Sequence, residues 1–264
     1  MADNIRSIPS VVDGFKPGQR KIIFTCFKTD LRKEVKVNIL SGTVGASSQY
    51  HHGEVSLHST IIGLAHDFVG SNNINLLLPI GQFGSRLQGG KDSAAARYLN
   101  TKLNALSRLI FHKSDDMILN YLNEENLSIE PEYYVPIIPM ILINGADGIG
   151  TGWSTNIPNY NPKDVIKNIR KMLDDQPLEE MIPYYRNFIG SIKKIESGRF
   201  QIDGVWEEED GEVIISELPI GQWTSVFTAY LDDLASKNII DGYTSQSSDK
   251  TVNLKVQLRE KKLI

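Results

Sequence analysis

An arginine followed directly by a tyrosine, Arg97-Tyr98, is the pair in this sequence whose side chains could open a phosphate ester. A phenol is a poor nucleophile at neutral pH because its pKa is about 10. A neighbouring guanidinium can stabilise the phenolate and clamp phosphate oxygens, a histidine can move the proton, and a metal ion can offset developing charge. Lys16, Arg20, His51 and His52 offer the further cations and the imidazoles; the metal would come from elsewhere. Taken alone, an Arg-Tyr dipeptide is more often a packing feature than a catalytic one.

Helices and loops must bring these groups into reach of a common ligand. Residues 17–28, PGQRKIIFTCFK, begin with a proline that a first helical turn tolerates and place Ile22, Ile23, Cys26 and Phe27 at helical spacing. Residues 52–69 repeat Leu57, Ile61, Leu64 and Phe68 at steps of four, three and four, an apolar stripe on an amphipathic helix. Between them a short helix and a Gly/Ser-rich turn are expected, which makes helix, turn, helix beside basic residues, an arrangement used to read DNA. Residues 70–98 are glycine-rich and carry Arg86, Lys91 and Arg97, as a loop or β-wing approaching phosphates would. From Tyr98 to Phe111, Leu99, Leu103, Leu106 and Ile110 predict a further helix, with Tyr98 near its start. Residues 162–173 predict a short helix, while RFQIDGVW, EVIISELP and TVNLKVQL read as strands and DGVWEEEDGE as a solvated hairpin tip.

Composition narrows the class. The chain has 264 residues, 41% hydrophobic and 23% charged, an ordinary globular balance that excludes disordered, collagen-like and short disulfide-stapled classes. No apolar run approaches the roughly 20 residues that span a bilayer, and the N-terminus has no signal-peptide core, so no membrane partner is expected. The single cysteine, Cys26, reads as a buried reduced thiol. The net charge of −4 conceals an asymmetry: residues 1–113 hold 14 Lys+Arg against 7 Asp+Glu, and all five histidines. A basic half of this kind suits a polyanion, although solvated faces that differ by chance would look the same. The GADGIGTG run is not a nucleotide-binding signature, since no GK[ST] follows it and no ribose-binding carboxylate is placed downstream.

The strings SIPSVVDGFKPGQRKIIFTCFK, YHHGEVSLHSTIIGLAHDFVGSNN, PIGQFGSRLQGGKDSAAARYL and IPMILINGADGIGTGWSTNIPNYNP, in that order, resemble successive motifs of eukaryotic-type DNA topoisomerase II, and ISELPIGQWT continues the likeness more loosely. The resemblance implies an α+β fold: a winged-helix DNA-cleavage domain over residues 1–134, followed by an α/β tower domain over 135–264 that is incomplete at its C-terminal end. It implies that Tyr98 attacks a DNA phosphodiester to leave a 5′-phosphotyrosyl link and a free 3′-hydroxyl, with Arg97 stabilising the pentavalent phosphate. Lys16 and Arg20 would contact the scissile region and His52 would lie close to the reacting phosphate. DNA contacts are implied at Arg6, His51, Gln82, Arg86 and Lys91. Ile149 would wedge between base pairs, with Gly148 and Gly150 letting the backbone approach the duplex.

What the resemblance adds beyond this chain is equally specific. Mg²⁺ would be held by a separate Toprim domain and ATP by an ATPase domain, neither of whose motifs is present, so no metal site is expected in this chain. Double-stranded DNA is the implied partner, a homodimer the implied assembly of the whole enzyme, and the nucleus its implied location, with a viral or organellar source as the alternative. The chain reads as a piece of a DNA topoisomerase (ATP-hydrolysing), inactive in cleavage by itself. Two other classes compete with that reading. A non-catalytic DNA-binding module predicts salt-dependent binding without a covalent adduct, and a scaffold predicts weak DNA affinity.

Overall fold

Pro17 opens a helix over Pro17–Lys28 (α2), which follows a short helix over Ala2–Ser7 (α1). Gln19 accepts the backbone N–H of Lys16 at 2.9 Å and so closes the entry to α2. The computed structural model describes residues 2–259. After α2 come a two-residue strand, Val35–Lys36 (β1), and two helices, Val37–Ser48 (α3) and Glu54–Ala65 (α4). Strands Leu77–Ile80 (β2) and Asn100–Leu103 (β3) then complete a three-stranded antiparallel sheet in the order β1-β3-β2. Three helices carrying a small antiparallel wing form the winged-helix arrangement. Ile22, Ile23, Cys26, Val37, Val44, Leu57, Ile61, Leu77 and Leu99 interlock in one buried cluster, the apolar faces expected for α2 and α4. The mixed α+β class agrees with the sequence.

Several elements differ from expectation. The helix predicted over 98–111 is instead a 3-10 turn at Ala96–Tyr98, the strand β3 and a four-residue helix, Ser107–Ile110 (α5). Here tertiary pairing overrides the leucine spacing: β3 satisfies its backbone against both β1 and β2, and buried Thr101 donates its hydroxyl to the Leu78 carbonyl at 2.9 Å. Asn104 then turns the chain, accepting the Leu106 N–H at 3.1 Å while Leu106 itself stays in solvent. The second difference is at the end of α4, which stops at Ala65 rather than running on to 69. The Asn72 side chain donates to the Gly63 and His66 carbonyls and takes up acceptors that a longer helix would use.

The chain divides into two units. The first holds residues up to Asp67, then Ser71–Phe83 and Ala94–Tyr184. Its later elements are a hairpin of Tyr121–Glu124 (β4) with Leu127–Pro131 (β5), a short helix Met140–Ile143 (α6), a hairpin of Ala146–Ile149 (β6) with Ser154–Ile157 (β7), and the helix Pro162–Leu173 (α7) at its expected limits. The boundary expected at 134/135 falls inside this unit.

The second unit takes Phe68–Gly70, Gly84–Ser93 and the chain from Tyr185 onward. It contains a hairpin of Ser191–Glu196 (β8) with Arg199–Asp203 (β9), and a sheet in the order β10-β11-β13-β12 made by Val205–Glu209 (β10), Glu212–Glu217 (β11), Ile240–Ser245 (β12) and Leu254–Leu258 (β13). The acidic stretch expected at a hairpin tip is the β10–β11 hairpin. An unexpected helix, Thr224–Ser236 (α8), packs Leu231 on Ile240 and Val256 of that sheet. Its first free N–H groups, on Thr224 and Ser225, donate to the carbonyls of Arg86 and Leu87. Phe68, expected on the α4 stripe, stacks edge-on against Trp223 in this unit, with centroids 5.9 Å apart.

Candidate nucleic-acid interface

Four of the residues named from sequence converge on one cavity in the first unit, of about 1030 Å³. Arg6 reaches it from α1, Lys16 from the entry to α2, and His51 and His52 from the turn between α3 and α4. Gly18 and Gln19 also line it, so the N-terminal turn of α2 opens onto the cavity with its unshared N–H groups and the positive end of its dipole. Side-chain cations and backbone donors therefore face the same space, with two imidazoles and the carboxylates of Asp3, Glu124 and Asp147 on its wall. An anion with several oxygens, such as a nucleic-acid backbone, is what this arrangement can hold.

The turn carrying the histidines is fixed from both sides. His51 shares a 2.6 Å contact between Nε2 and Glu124 Oε1 of β4, and His52 stacks edge-on against Tyr50 at 5.4 Å. Glu124 was not legible as a partner because it lies 73 residues away along the chain. Lys21, also on the cavity wall, is committed internally: its Nζ donates to the Ser48 carbonyl at 2.5 Å and to Glu130 Oε2 at 2.9 Å.

Arg20, which the resemblance places at the scissile region, sits in an internal network. It is buried, and it grips the fully buried Asp13 bidentately at 2.7 and 3.0 Å. Asp13 in turn accepts the backbone N–H groups of Phe15 and Tyr134, each at 3.0 Å. This network shapes the loop that delivers Lys16, and Arg20 supports that loop from beneath. Asp13 is a second partner residue that spacing alone could not identify.

Tyr98 and Arg97 do not line that cavity. Tyr98 ends the 3-10 turn before β3 and is 68% exposed, with the Arg97 guanidinium 4.9 Å above its ring. Buried Leu99 is the anchor that follows it, and strand β3 begins at the next residue, Asn100. A large exposed aromatic held under a guanidinium is a group presented outward for contact. Gln82 is exposed on the same unit, and its carbonyl accepts the Ala94 N–H at 2.9 Å.

The remaining named residues occupy other settings. Lys91 is exposed in the second unit. Arg86, for which a DNA contact was implied, is buried there and bonded to Glu217, whose carboxylate also accepts the Leu218 N–H at 2.9 Å, so its guanidinium faces an internal carboxylate. Ile149 ends β6 beside the hairpin tip and is 80% exposed. Gly148 and Gly150 are not free for an approaching duplex: their backbones already press against Ser7 and Asn4 of α1.

Among the described residues no group of three or more His, Cys, Asp or Glu side chains could hold a metal ion. No helix among the described residues is long and apolar enough to cross a membrane.

Comparison with known proteins gives a uniform result. The family model for the DNA gyrase/topoisomerase IV A-subunit matches residues 6–263. The chain is 54% identical over 269 residues to DNA topoisomerase 2 top-2 of Caenorhabditis elegans, covering 99% of this chain and 18% of that relative. It is 51% identical over 269 residues to DNA topoisomerase 2-alpha of Mus musculus, again covering 99% of this chain and 18% of the relative. The chain thus spans less than a fifth of the length of these relatives. Its structure superposes with a TM-score of 0.96 on the Plasmodium falciparum topoisomerase II DNA-binding, cleavage and re-ligation domain, at 48% identity, over 98% of this chain and 36% of that one.

Proposed function

Because this chain belongs to the DNA gyrase/topoisomerase IV A-subunit family, we propose that it forms part of the DNA gate of an ATP-dependent type II topoisomerase, with Tyr98 as the nucleophile. The observation that carries the proposal is the exposed phenol of Tyr98 beneath the Arg97 guanidinium. In the reaction the Tyr98 oxygen bonds to the phosphorus of a DNA phosphodiester as the bond from phosphorus to the 3′-oxygen breaks. The phenol's proton passes to solvent or a base, and the departing 3′-oxygen takes up a proton. One phosphodiester replaces another, so the break is reversible and consumes no oxidant or reductant.

Arg97 would share the charge that builds on the equatorial oxygens. Arg6, Lys16, His51 and His52 would hold the DNA backbone against the N-terminus of α2, and Ile149 would wedge between base pairs. Residues 1–134 and 135–264 would correspond to the winged-helix and tower domains. Mg²⁺ and ATP are proposed as cofactors of the whole enzyme, held by residues other than these, and the enzyme would act as a nuclear homodimer on double-stranded DNA.

A specific observation favours a second reading for the isolated chain: the cationic cavity does not include Tyr98. On that reading the chain grips DNA and performs no chemistry. The deciding experiment mixes the chain with a separately expressed Mg²⁺-binding domain of the family, Mg²⁺ and end-labelled duplex, then denatures and separates protein-linked DNA. A covalent adduct that disappears in Tyr98→Phe is expected. Tight binding with no adduct in the wild type leaves the non-catalytic reading, and an adduct retained by Tyr98→Phe removes Tyr98 from the mechanism.

A further inference from the structure

The hairpin that bears Ile149 is a two-stranded sheet. Such a unit is marginal by itself in water. An apolar side chain can force base pairs apart only if its own backbone does not yield first, and a loose tip would lose binding free energy to its own ordering. The support comes from the other end of the unit's sequence. A Cβ built on Gly148 would collide with the Ser7 carbonyl, and one on Gly150 with the Asn4 side chain, so both residues lie directly on α1. Thr151, at the turn, donates its hydroxyl to Asp3 Oδ2 at 2.7 Å. Ser7 donates to the other oxygen of the same carboxylate at 3.5 Å. Successive side chains of a strand face opposite ways, so a face of β6 seated on α1 at Gly148 turns Ile149 outward.

We propose that α1 is the positioning element of the Ile149 wedge, with the Asp3–Thr151 hydrogen bond as its latch. The inference rests on the reading of Ile149 as an intercalating residue. In the protein, α1 sets the angle and stiffness of the hairpin tip, so DNA bending depends on residues that need not touch a base.

Thr151→Val tests the latch without changing charge or side-chain shape, and both Asp3 and Thr151 are exposed, so folding is not at stake. End-to-end energy transfer on a short labelled duplex reads the bend. Affinity for an intact duplex, set against that for a duplex with a central gap, reads the cost of bending. Thr151→Val is expected to reduce the bend and weaken intact-duplex binding roughly 3- to 10-fold, the factor of one net hydrogen bond. Affinity for the gapped duplex should hold, and Thr151→Ser should restore the wild-type ratio. Gly148→Ala, whose Cβ meets the backbone carbonyl of Ser7 and so pushes the strand off α1, should act in the same direction. Ile149→Ala separates the two ideas. If it abolishes bending while Thr151→Val and Gly148→Ala bend normally, the role of α1 is refuted and the wedge stands. If Ile149→Ala bends like the wild type, or the wild type does not bend DNA, the wedge reading fails and this inference with it.

Discussion

Tyr98 and Asp13 show how differently neighbouring chemistry is displayed in sequence and in space. Arg97-Tyr98 is adjacent along the chain, so its cation-over-ring contact is local and readable. Asp13 joins Arg20, Phe15 and Tyr134, and only folding brings the last of these to it. Asp13→Ala strands a buried guanidinium and should cost about 3–5 kcal/mol in urea unfolding. Cys26, legible from its apolar neighbours, has its thiol pushed up to about 12 by burial. A thiol-specific reagent should therefore react only at the rate of unfolding, and rapid labelling of the native protein would contradict this. Glu179 contributes one pH-dependent increment: hydrogen bonds from Lys167 and then Lys171 hold its carboxyl down at about 2 from an ordinary 4.5. Since the folded value is the lower one, its contribution to stability is present above pH 4.5 and fades as pH falls towards 2. Glu179→Gln should flatten the unfolding midpoint across that window, measured by pH-dependent denaturation.

Among the elements, α2, α4 and α7 were legible because a single apolar stripe decides a helix whatever it packs against. Ile61 of α4 is fully buried in the shared cluster, and Ile61→Ala should destabilise by about 2–5 kcal/mol in chemical denaturation. Segment 98–111 followed another logic. Its leucines keep helical spacing, yet β1 and β2 offer two open backbone edges, and the ladder they form outweighs a weak local preference. Helix α8 escaped notice because its faces are set by a sheet whose strands are separated by up to 45 residues, as in the contact of Glu212 with Gln257.

For the molecule as a whole, the excess of cations in residues 1–113 predicts a DNA affinity that falls steeply with salt. Replacing Lys16 or Arg6 with Glu should reduce the slope of log affinity against log salt by about 0.9 for each phosphate released. Lys28→Glu, on α2 but away from the cavity lining, should change it less; equal effects would show that net charge, and not the cavity, governs binding. The amino-acid sequence by itself determined the class, the basic half, the main helices and the residues that carry the family's motifs, because these depend on composition and on short-range order. Only the tertiary structure decided which of those residues are free to act. It committed Arg20 and Arg86 to buried carboxylates, kept Tyr98 in solvent, gathered Arg6, Lys16, His51 and His52 around one helix terminus, and seated Gly148 and Gly150 on α1. Glu217 for Arg86, Tyr134 for the Asp13–Arg20 network and α1 for Gly148 and Gly150 are partners distant in the chain, and desolvation makes a partner compulsory for a buried charge while leaving an exposed group free.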